Sequence, residues 1–301
     1  AAHQSGRGRG PTAEISVRGC ADTLSGYKLA NALVGRARAS GFIGVREDCR
    51  VASVKRLVGG KREREQRQQR KGASFQVLTA TGEEIRCDHV VYATNAWTGG
   101  VANGFRQSIM PVINHVVSAE KASRESSLER RIGSREEGEE RVHDPSAYAL
   151  DPGYVYWVNR SDGRVVVGGF RDKLADKGVG RCDDSVIDPT LDAVSSSFFE
   201  TVVRSPDRPE AKIDHKWTGV IGWSCDNLPW VGKLNGRPGE WVCAGFSGHG
   251  LPTTFLSGKA IANEIAGKPP ASVWSEGGLP SGYAPAEIRH QKRGSWYGAG
   301  D

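Results

Sequence analysis

The sequence predicts a mixed α/β fold, and three observations predict it. Residues 241–246 are apolar or small and bounded by glycine, as in a buried strand, and the chain then restarts as an amphipathic helix across the turn GFSGHG. Three strand-like stretches, VASVKRLV, SFQVLTA and EIRCDHVVYAT, follow an earlier helix-forming segment. From Phe105 onward the texture changes to long strands and hairpins.

Taken in order, a glycine- and arginine-rich start precedes SGYKLANALVGRARASG, where Leu29, Leu33, Val34 and Ala37 recur at helical spacing and Gly41 supplies a stop. The three strands after it form an antiparallel meander, with the charged run at 59–72 as a long solvated hairpin tip and Thr81-Gly82 as the second turn. The third strand ends in Ala93, Thr94 and Asn95, at the carboxyl edge where open α/β sheets hold their ligands. FRQSIMPVINHVVSAE reads as one long strand and YVYWVNRSDGRVVVGGF as a hairpin turning at 161–163, with a charged surface insertion at 121–141 between them. A helix opens after Pro189, with Leu191, Val194, Phe198, Phe199 and Val202 as its buried stripe. KIDHKWTGVIGWSCDNLPWVGKL is strand-like and leads to the final strand and helix. Pro252 suits the first helical position there, and Leu251, Phe255, Leu256, Ile261, Ala262 and Ile265 repeat at spacings of three and four until Gly267, Pro269 and Pro270. The tail beyond Pro270 has little apolar periodicity and is expected only to drape over the surface.

Composition narrows the class. The 301 residues are 38% hydrophobic with 39 glycines, and no apolar run is long enough for a membrane-spanning helix. The formal charge of +6 is concentrated at 59–72, which lacks interleaved aromatics, so a solvated loop is expected and no nucleic-acid partner. Six scattered cysteines with no CxxC pair argue against a zinc site or a disulfide scaffold, and no metal is expected. With no signal peptide and no Ser-Lys-Leu ending, a cytoplasmic, reducing compartment is the expectation. Gly245, Gly248 and Gly250 sit where strand gives way to helix, a place where unpaired N–H groups carry about half a positive charge and a glycine turn admits an electron-rich group. A tight connection that binds nothing explains the same glycines.

Four stretches in order, DHVVYATNAW, YVYWVNRSDGRVVVGG, WTGVIGWSCDNLPWVG and VCAGFSGHGLP with SGKAIANEIAG, resemble the D-amino-acid oxidase-like FAD-dependent oxidoreductases, the group of glycine oxidase and sarcosine oxidase. The resemblance implies an incomplete Rossmann-like FAD-binding domain with the antiparallel meander, plus a β-rich substrate domain. It divides the chain into a disordered start at 1–22, the second part of the FAD-binding domain at 23–104, the substrate domain at 105–220, a return to the FAD-binding domain at 221–270 and a tail at 271–301. It places Val51 at the adenine, Ala93, Thr94 and Asn95 at the strand end beside the cofactor, and Ser247, Gly248, His249, Gly250 and Leu251 along the flavin edge. His249 is the candidate catalytic residue, either a hydrogen-bond donor to the flavin when neutral or, when protonated, a partner for its anionic reduced form. A histidine merely held in the turn by its backbone is the alternative.

Three departures accompany the match. GxGxxG with its strand and helix is missing, since GRGRG at 6–10 follows no strand, so the chain reads as the C-terminal two-thirds of a flavoenzyme, weak in FAD binding by itself. Ile221 stands where glycine oxidase has its carboxylate-binding arginine, and Pro252 where sarcosine oxidase has a lysine. Such a charge-assisted contact contributes about 1.5–3 kcal/mol, so simple α-amino acids are expected to be poor substrates. Arg160, Arg164 or Arg171 could replace it, and Tyr154, Tyr156, Trp157, Trp217 and Trp223 either wall an amine site or pack the sheet. Cys225 is out of register with the covalent flavin cysteine of sarcosine oxidase, so noncovalent FAD is expected. The implied chemistry is hydride transfer from the carbon beside an amine nitrogen to flavin N5, with dioxygen as acceptor. A dehydrogenase with another acceptor and a catalytically inactive binding remnant are the alternatives, and the oligomeric state is left open.

Overall fold

The computed structural model describes residues 25–41, 44–57, 74–102, 104–120, 146–150, 154–160, 164–202, 212–268, 279–285 and 289. The stretches 6–10, 59–72, 121–141 and 161–163 singled out in the sequence lie outside these residues. The chain divides into two units, one made of Ala1–Ser25, Asn114–Gly178 and Asp184–Gly219, the other of Gly26–Ile113, Val179–Asp183 and Val220–Asp301.

The larger unit carries the glycine turn. It opens with helix α1 (Gly26–Ala39), which ends where Gly41 takes φ 75° and donates to the Arg38 carbonyl at 3.0 Å. No residue of α1 is buried, and its apolar residues Tyr27, Leu33 and Val34 face solvent. Strands β1 (Val51–Arg56), β2 (Phe75–Thr79) and β3 (Glu84–Cys87) form the predicted antiparallel meander in chain order. Its second turn is closed by Gly82 at φ 87° and by Thr79 Oγ1, which accepts from the Glu83 N–H at 2.9 Å.

The third predicted strand, read as one run over 84–94, is two strands. β3 stays with β2, whereas β4 (Val90–Tyr92) runs parallel to β11 (Glu240–Ala244), which in turn pairs antiparallel with β10 (Trp230–Lys233). The polar pair Asp88-His89 marks the transfer, where Val90 N–H donates to the carbonyl of Gly239 at 2.9 Å. A continuous apolar-looking run conceals such a change of partner, because each half satisfies its own ladder. On one face of this sheet Tyr92, Trp230, Val242 and Ala244 join Ala102, Phe105, Ile109, Cys225 and Leu234 in a core. On the other, Val231 and Trp241 pack beneath helix α4 (Leu251–Ile265) through Ala260 and Ile261. A fully buried side chain of this size contributes about 1.5–3 kcal/mol. The buried stripe of α4 is narrower than its sequence suggests: Ser257, Ala260 and Ile261 are buried and Leu256 and Ile265 partly so, whereas Leu251 and Phe255 are exposed at 55% and 60%. The short helix α2 (Thr98–Val101) follows β4.

The tail departs from expectation. Leu279 belongs to the core under α4, and Arg289 is buried. Its Nε and Nη2 donate to both oxygens of Asp226 at 2.8 and 2.9 Å, its remaining donors reach the carbonyls of Leu228, Pro229, Tyr283 and Ala284, and its guanidinium lies 3.9 Å over the Trp230 ring. A single arginine with five donors needs no apolar periodicity to anchor a segment.

The smaller unit is built on a five-stranded sheet of order β6-β7-β8-β5-β9, from β5 (Ile109–Glu120), β6 (Ser146–Leu150), β7 (Val155–Asn159), β8 (Arg164–Gly169) and β9 (Ile213–Ser224). Residues 109–113 of β5 and 220–224 of β9 belong to the larger unit. Helix α3 (Pro189–Val202) begins as the sequence predicts, with Asp188 Oδ1 accepting from the N–H groups of Thr190 and Leu191 as its cap. Leu191, Ser195 and Phe199 form its buried line. His115 on β5 is fully buried, and neither ring nitrogen has a hydrogen-bond partner among the described residues. Asp192 Oδ1, held by Lys216 at 2.7 Å, is 3.5 Å from its Nε2. Burial lowers the His115 pKa, and the attraction of Asp192 only partly opposes it.

Candidate functional site

The turn from β11 to α4 is held by three neighbours. Asn95, which opens the 3-10 turn three residues beyond β4, places its Oδ1 between two backbone donors and accepts from Gly245 N–H at 2.9 Å and Phe246 N–H at 3.3 Å. Ser247 donates its N–H to the Gly222 carbonyl on β9 at 2.9 Å, and its Oγ accepts from the Ser224 N–H at 3.0 Å. His249 N–H closes the turn onto the Phe246 carbonyl at 2.9 Å. Gly222 must be glycine: an added Cβ would lie 2.6 Å from Asn95 Oδ1 and 2.8 Å from the Ala96 nitrogen. Neither Gly222 nor Ser224 was singled out from the sequence. The signal for them was a glycine inside a strand, which marks close approach of another backbone.

Beyond this stitching the turn is open. Gly245, Ser247 and Gly248 take φ 76°, 50° and 82°, and the space beside Gly248 holds only Ile221 Cδ1, 3.9 Å from where a Cβ would lie. Gly248, His249 and Leu251 are exposed, while Ser247 is buried. No side chain caps α4, and the N–H groups of Gly248, Gly250 and Leu251 have no acceptor among the described residues. These donors lie at or just before the positive end of a 15-residue helix.

His249 Nδ1 lies 2.9 Å from the Ser247 carbonyl. A carbonyl only accepts, so Nδ1 carries the hydrogen and the neutral ring presents an unprotonated Nε2. That corrects the expectation of a neutral His249 donating to the flavin, because its donor is used inside the turn.

The other sequence candidates scatter. Ala93 and Thr94 are exposed on the approach to Asn95, whereas Val51 is half-buried at the first position of β1, paired with Thr79 in the separate meander sheet. Tyr156 and Trp157 are adjacent on β7 and therefore point to opposite faces of its sheet. Tyr156 Oη accepts from Asn114 Nδ2 at 2.9 Å, and Trp157 is buried at 3% exposure, stacked on Tyr148 at 4.7 Å and near Phe198 at 5.9 Å. Trp157 is thus core packing under α3 and no part of a common aromatic wall with Tyr156. Trp217 is exposed in the smaller unit, and Trp223 in the larger unit donates its Nε1 to Asn227 Oδ1 at 2.6 Å. Two of the arginines offered as carboxylate anchors are engaged: Arg164 is bidentate to Asp214 at 2.8 and 2.9 Å, and Arg171 is buried with its guanidinium 4.6 Å over the Tyr154 ring.

The family model for FAD-dependent oxidoreductases, DAO, matches residues 11–264. The chain belongs to that family. Among DAO relatives it is 27% identical to the gamma-glutamylputrescine oxidoreductase of Escherichia coli over 64% of this chain and 39% of that protein, and 25% identical to the glycine oxidase of Pseudomonas putida over 67% and 48%. The chain therefore spans two-fifths to one-half of the length of these curated relatives. The glycine oxidase structure from Geobacillus kaustophilus shares the fold with a TM-score of 0.59 at 18% identity, over 85% of this chain and 56% of that one. Iminodiacetate oxidase from Chelativorans sp. BNC1 gives 0.57 at 17% identity, over 86% and 58%.

FAD is the cofactor of this DAO family, and the α4 rim fits its electron-rich edge: three unpartnered N–H groups, no capping side chain and space beside Gly248. No GxGxxG turn occurs in the given sequence, and the fit concerns the backbone donors at the start of α4 alone. Among the described residues no helix is long and apolar enough to cross a membrane.

Proposed function

We propose that the protein acts as an FAD-dependent oxidoreductase on a carbon–nitrogen bond of an amine or amino-acid-like substrate, with FAD held noncovalently and dioxygen as electron acceptor. The observation that carries this reading is the uncapped start of α4 with its three unpartnered N–H groups. Bound there, FAD supplies the two-electron acceptor for a C–H bond next to nitrogen. The backbone N–H groups of Gly248, Gly250 and Leu251 would hold its electron-rich edge, a preorganised contribution that needs no side chain. His249, with Nδ1–H fixed on Ser247, holds an Nε2 lone pair available to a substrate ammonium, which must lose a proton before its α-carbon becomes electron-rich.

Substrate choice follows from Ile221. Its Cδ1 lies beside the Gly248 position, so an apolar group borders the rim where a carboxylate anchor would have to stand. Pro252, in the first turn of α4, provides neither a cationic side chain nor an N–H. Both support an amine whose carboxylate, if any, is remote from the reacting carbon. Cys225 is buried in the core, donating its Sγ–H to the Arg289 carbonyl at 3.3 Å, which supports noncovalent FAD.

The test is titration of the purified protein with FAD, followed by secondary amines, polyamine derivatives and simple α-amino acids. Quenched flavin fluorescence, bleaching of the bound flavin by amines without air and peroxide release in air are expected, with α-amino acids weakest. Bleaching without peroxide would assign another acceptor, and absence of any FAD uptake would leave a binding remnant as the better description.

A further inference from the structure

His115 is built into the smaller unit without a place for a second proton. Its side chain is wholly buried, and neither ring nitrogen finds a hydrogen-bond partner among the described residues. The neutral ring already keeps one N–H bare, and an imidazolium would bring two. Its ladder partner on β8 is Gly169, which has no side chain to offer. The charged groups that act on it are Asp192 on α3, Asp188 at the cap of that helix and Lys216 on β9. Asp192 Oδ1 is 3.5 Å from Nε2, but the same oxygen is engaged by Lys216 Nζ at 2.7 Å and accepts from Ser196 Oγ at 3.3 Å. A cation at His115 would share one carboxylate oxygen with another cation while shut off from water, so the closed arrangement resists it. Burial, which lowers the His115 pKa, acts with the same sign.

The element able to yield is α3. His115 itself lies in a strand bonded to β8 from His115 to Glu120, with β9 on its other side, and moving it would break those ladders. Among the described residues no backbone hydrogen bond ties α3 to a strand. The helix carries its own bonds wherever it goes, and it rests on the sheet through Leu191, Ser195 and Phe199, of which Ser195 donates its hydroxyl back to the Leu191 carbonyl. The connection at 184–187 that leads into it is exposed. A helix with a short buried line and an exposed lead is the kind of segment that opens before the core does. We infer that α3 is an acid-released cover: protonation of His115 lifts the helix from the sheet of the smaller unit while β5, β8 and β9 stay paired.

The experiment is hydrogen exchange of the whole protein from about pH 8 to pH 5, corrected for intrinsic rates, comparing the amides of Val194 to Thr201 with those of β5 and β8. Protection of α3 should be level above about pH 6.5 and then fall by up to about 10-fold per pH unit, since one proton is taken up on opening. Releasing α3 and unfolding the whole unit free the same histidine, so sheet amides also lose protection in acid. A separate release is marked by α3 exchanging about 10-fold or more faster than the sheet near pH 5, with a smaller dependence on urea. His115→Leu should abolish the acid-dependent loss in α3. Lys216→Met, which leaves Asp192 to the imidazolium, should reduce it, and this variant keeps the test alive if the leucine does not fold. Protection in α3 that is level or rises in acid, that matches the sheet in both rate and urea dependence, or that falls in His115→Leu as in the parent would overturn the inference.

Discussion

Two polar constructions stand at opposite ends of one short network in the larger unit, and they treat hydrogen-bonding capacity in opposite ways. Around Arg289 every donor is used: two bonds to Asp226, four backbone carbonyls and the face of Trp230, with arginine and carboxylate side chains each only 6% exposed. At the glycine turn the bonds from Asn95, Gly222 and Ser224 fix the backbone, yet the N–H groups of Gly248, Gly250 and Leu251 have no acceptor among the described residues. Ser224 joins the two, since its N–H donates to Ser247 Oγ while its own Oγ donates to Asp226 and accepts from Trp230 Nε1. The difference teaches where to look for function. Buried polar groups are paired because leaving them bare is costly, whereas exposed donors at a helix start are open to water or to a ligand.

The comparison is broken most severely by Arg289→Met. It leaves the Asp226 carboxylate buried and uncompensated, and should destabilise the protein by about 3–5 kcal/mol in denaturant titration. Removing both partners together, Arg289→Met with Asp226→Leu, should recover most of that loss. Acid probes the same pair. Burial raises the Asp226 carboxyl, but its bonds to Arg289, Ser224 and Leu228 outweigh that and hold it below the ordinary aspartate range. A carboxyl depressed in the folded state stabilises above its unfolded value, so this contribution should persist at mildly acidic pH and disappear only as pH falls through the folded value.

Ser247→Ala comes next, because it strands the buried Ser224 N–H and should cost about 1–3 kcal/mol, together with weaker FAD binding. Gly248→Ala has room for its methyl but not the backbone freedom for φ 82°, so about 1–2 kcal/mol is expected, with a larger fractional effect on FAD affinity than on the unfolding midpoint. His249→Ala should barely move stability or FAD uptake and should slow flavin reduction by about 10²-fold in stopped-flow measurements. If stability changed and reduction did not, His249 would belong with the structural construction.

The smaller unit adds a contrast of its own. His115 is folded into a site where burial outweighs Asp192 and lowers its pKa below the ordinary value near 6.5. A histidine depressed in the folded state stabilises above its unfolded pKa, so stability should decline as pH falls from about 6.5, by at most roughly 1.4 kcal/mol per pH unit. His115→Leu should flatten that slope between pH 7 and 5 in thermal unfolding, while leaving the acid response of the Arg289 pair unchanged.

Much of this was legible in the order of the residues. The meander, the long strand after Phe105, the helix opening at Pro189 and the passage from β11 to α4 follow from period and turn residues, which act within a few positions of the chain. The glycine turn at a helix start was legible too, because strand, glycine and helix succeed one another there without a gap. Other features required partners distant in sequence. The break of residues 84–94 between two sheets depends on β11, about 150 positions later, and the anchoring of the tail depends on Asp226. The burial of Trp157 depends on Tyr148 and Phe198, and the stripe of α4 is set by what β10 and β11 present to it.

By itself, then, the sequence determined which segments are strands and helices, which family the motifs resemble and where a helix start would lie open. The tertiary structure alone decided the orientation of the Asn95 amide, the tautomer of His249, the position of Ile221 beside Gly248 and the pairing of Asp226 with Arg289. The physical reason is range: propensity and periodicity act between near neighbours, while the direction of a hydrogen bond depends on which distant backbone group is brought within about 3 Å.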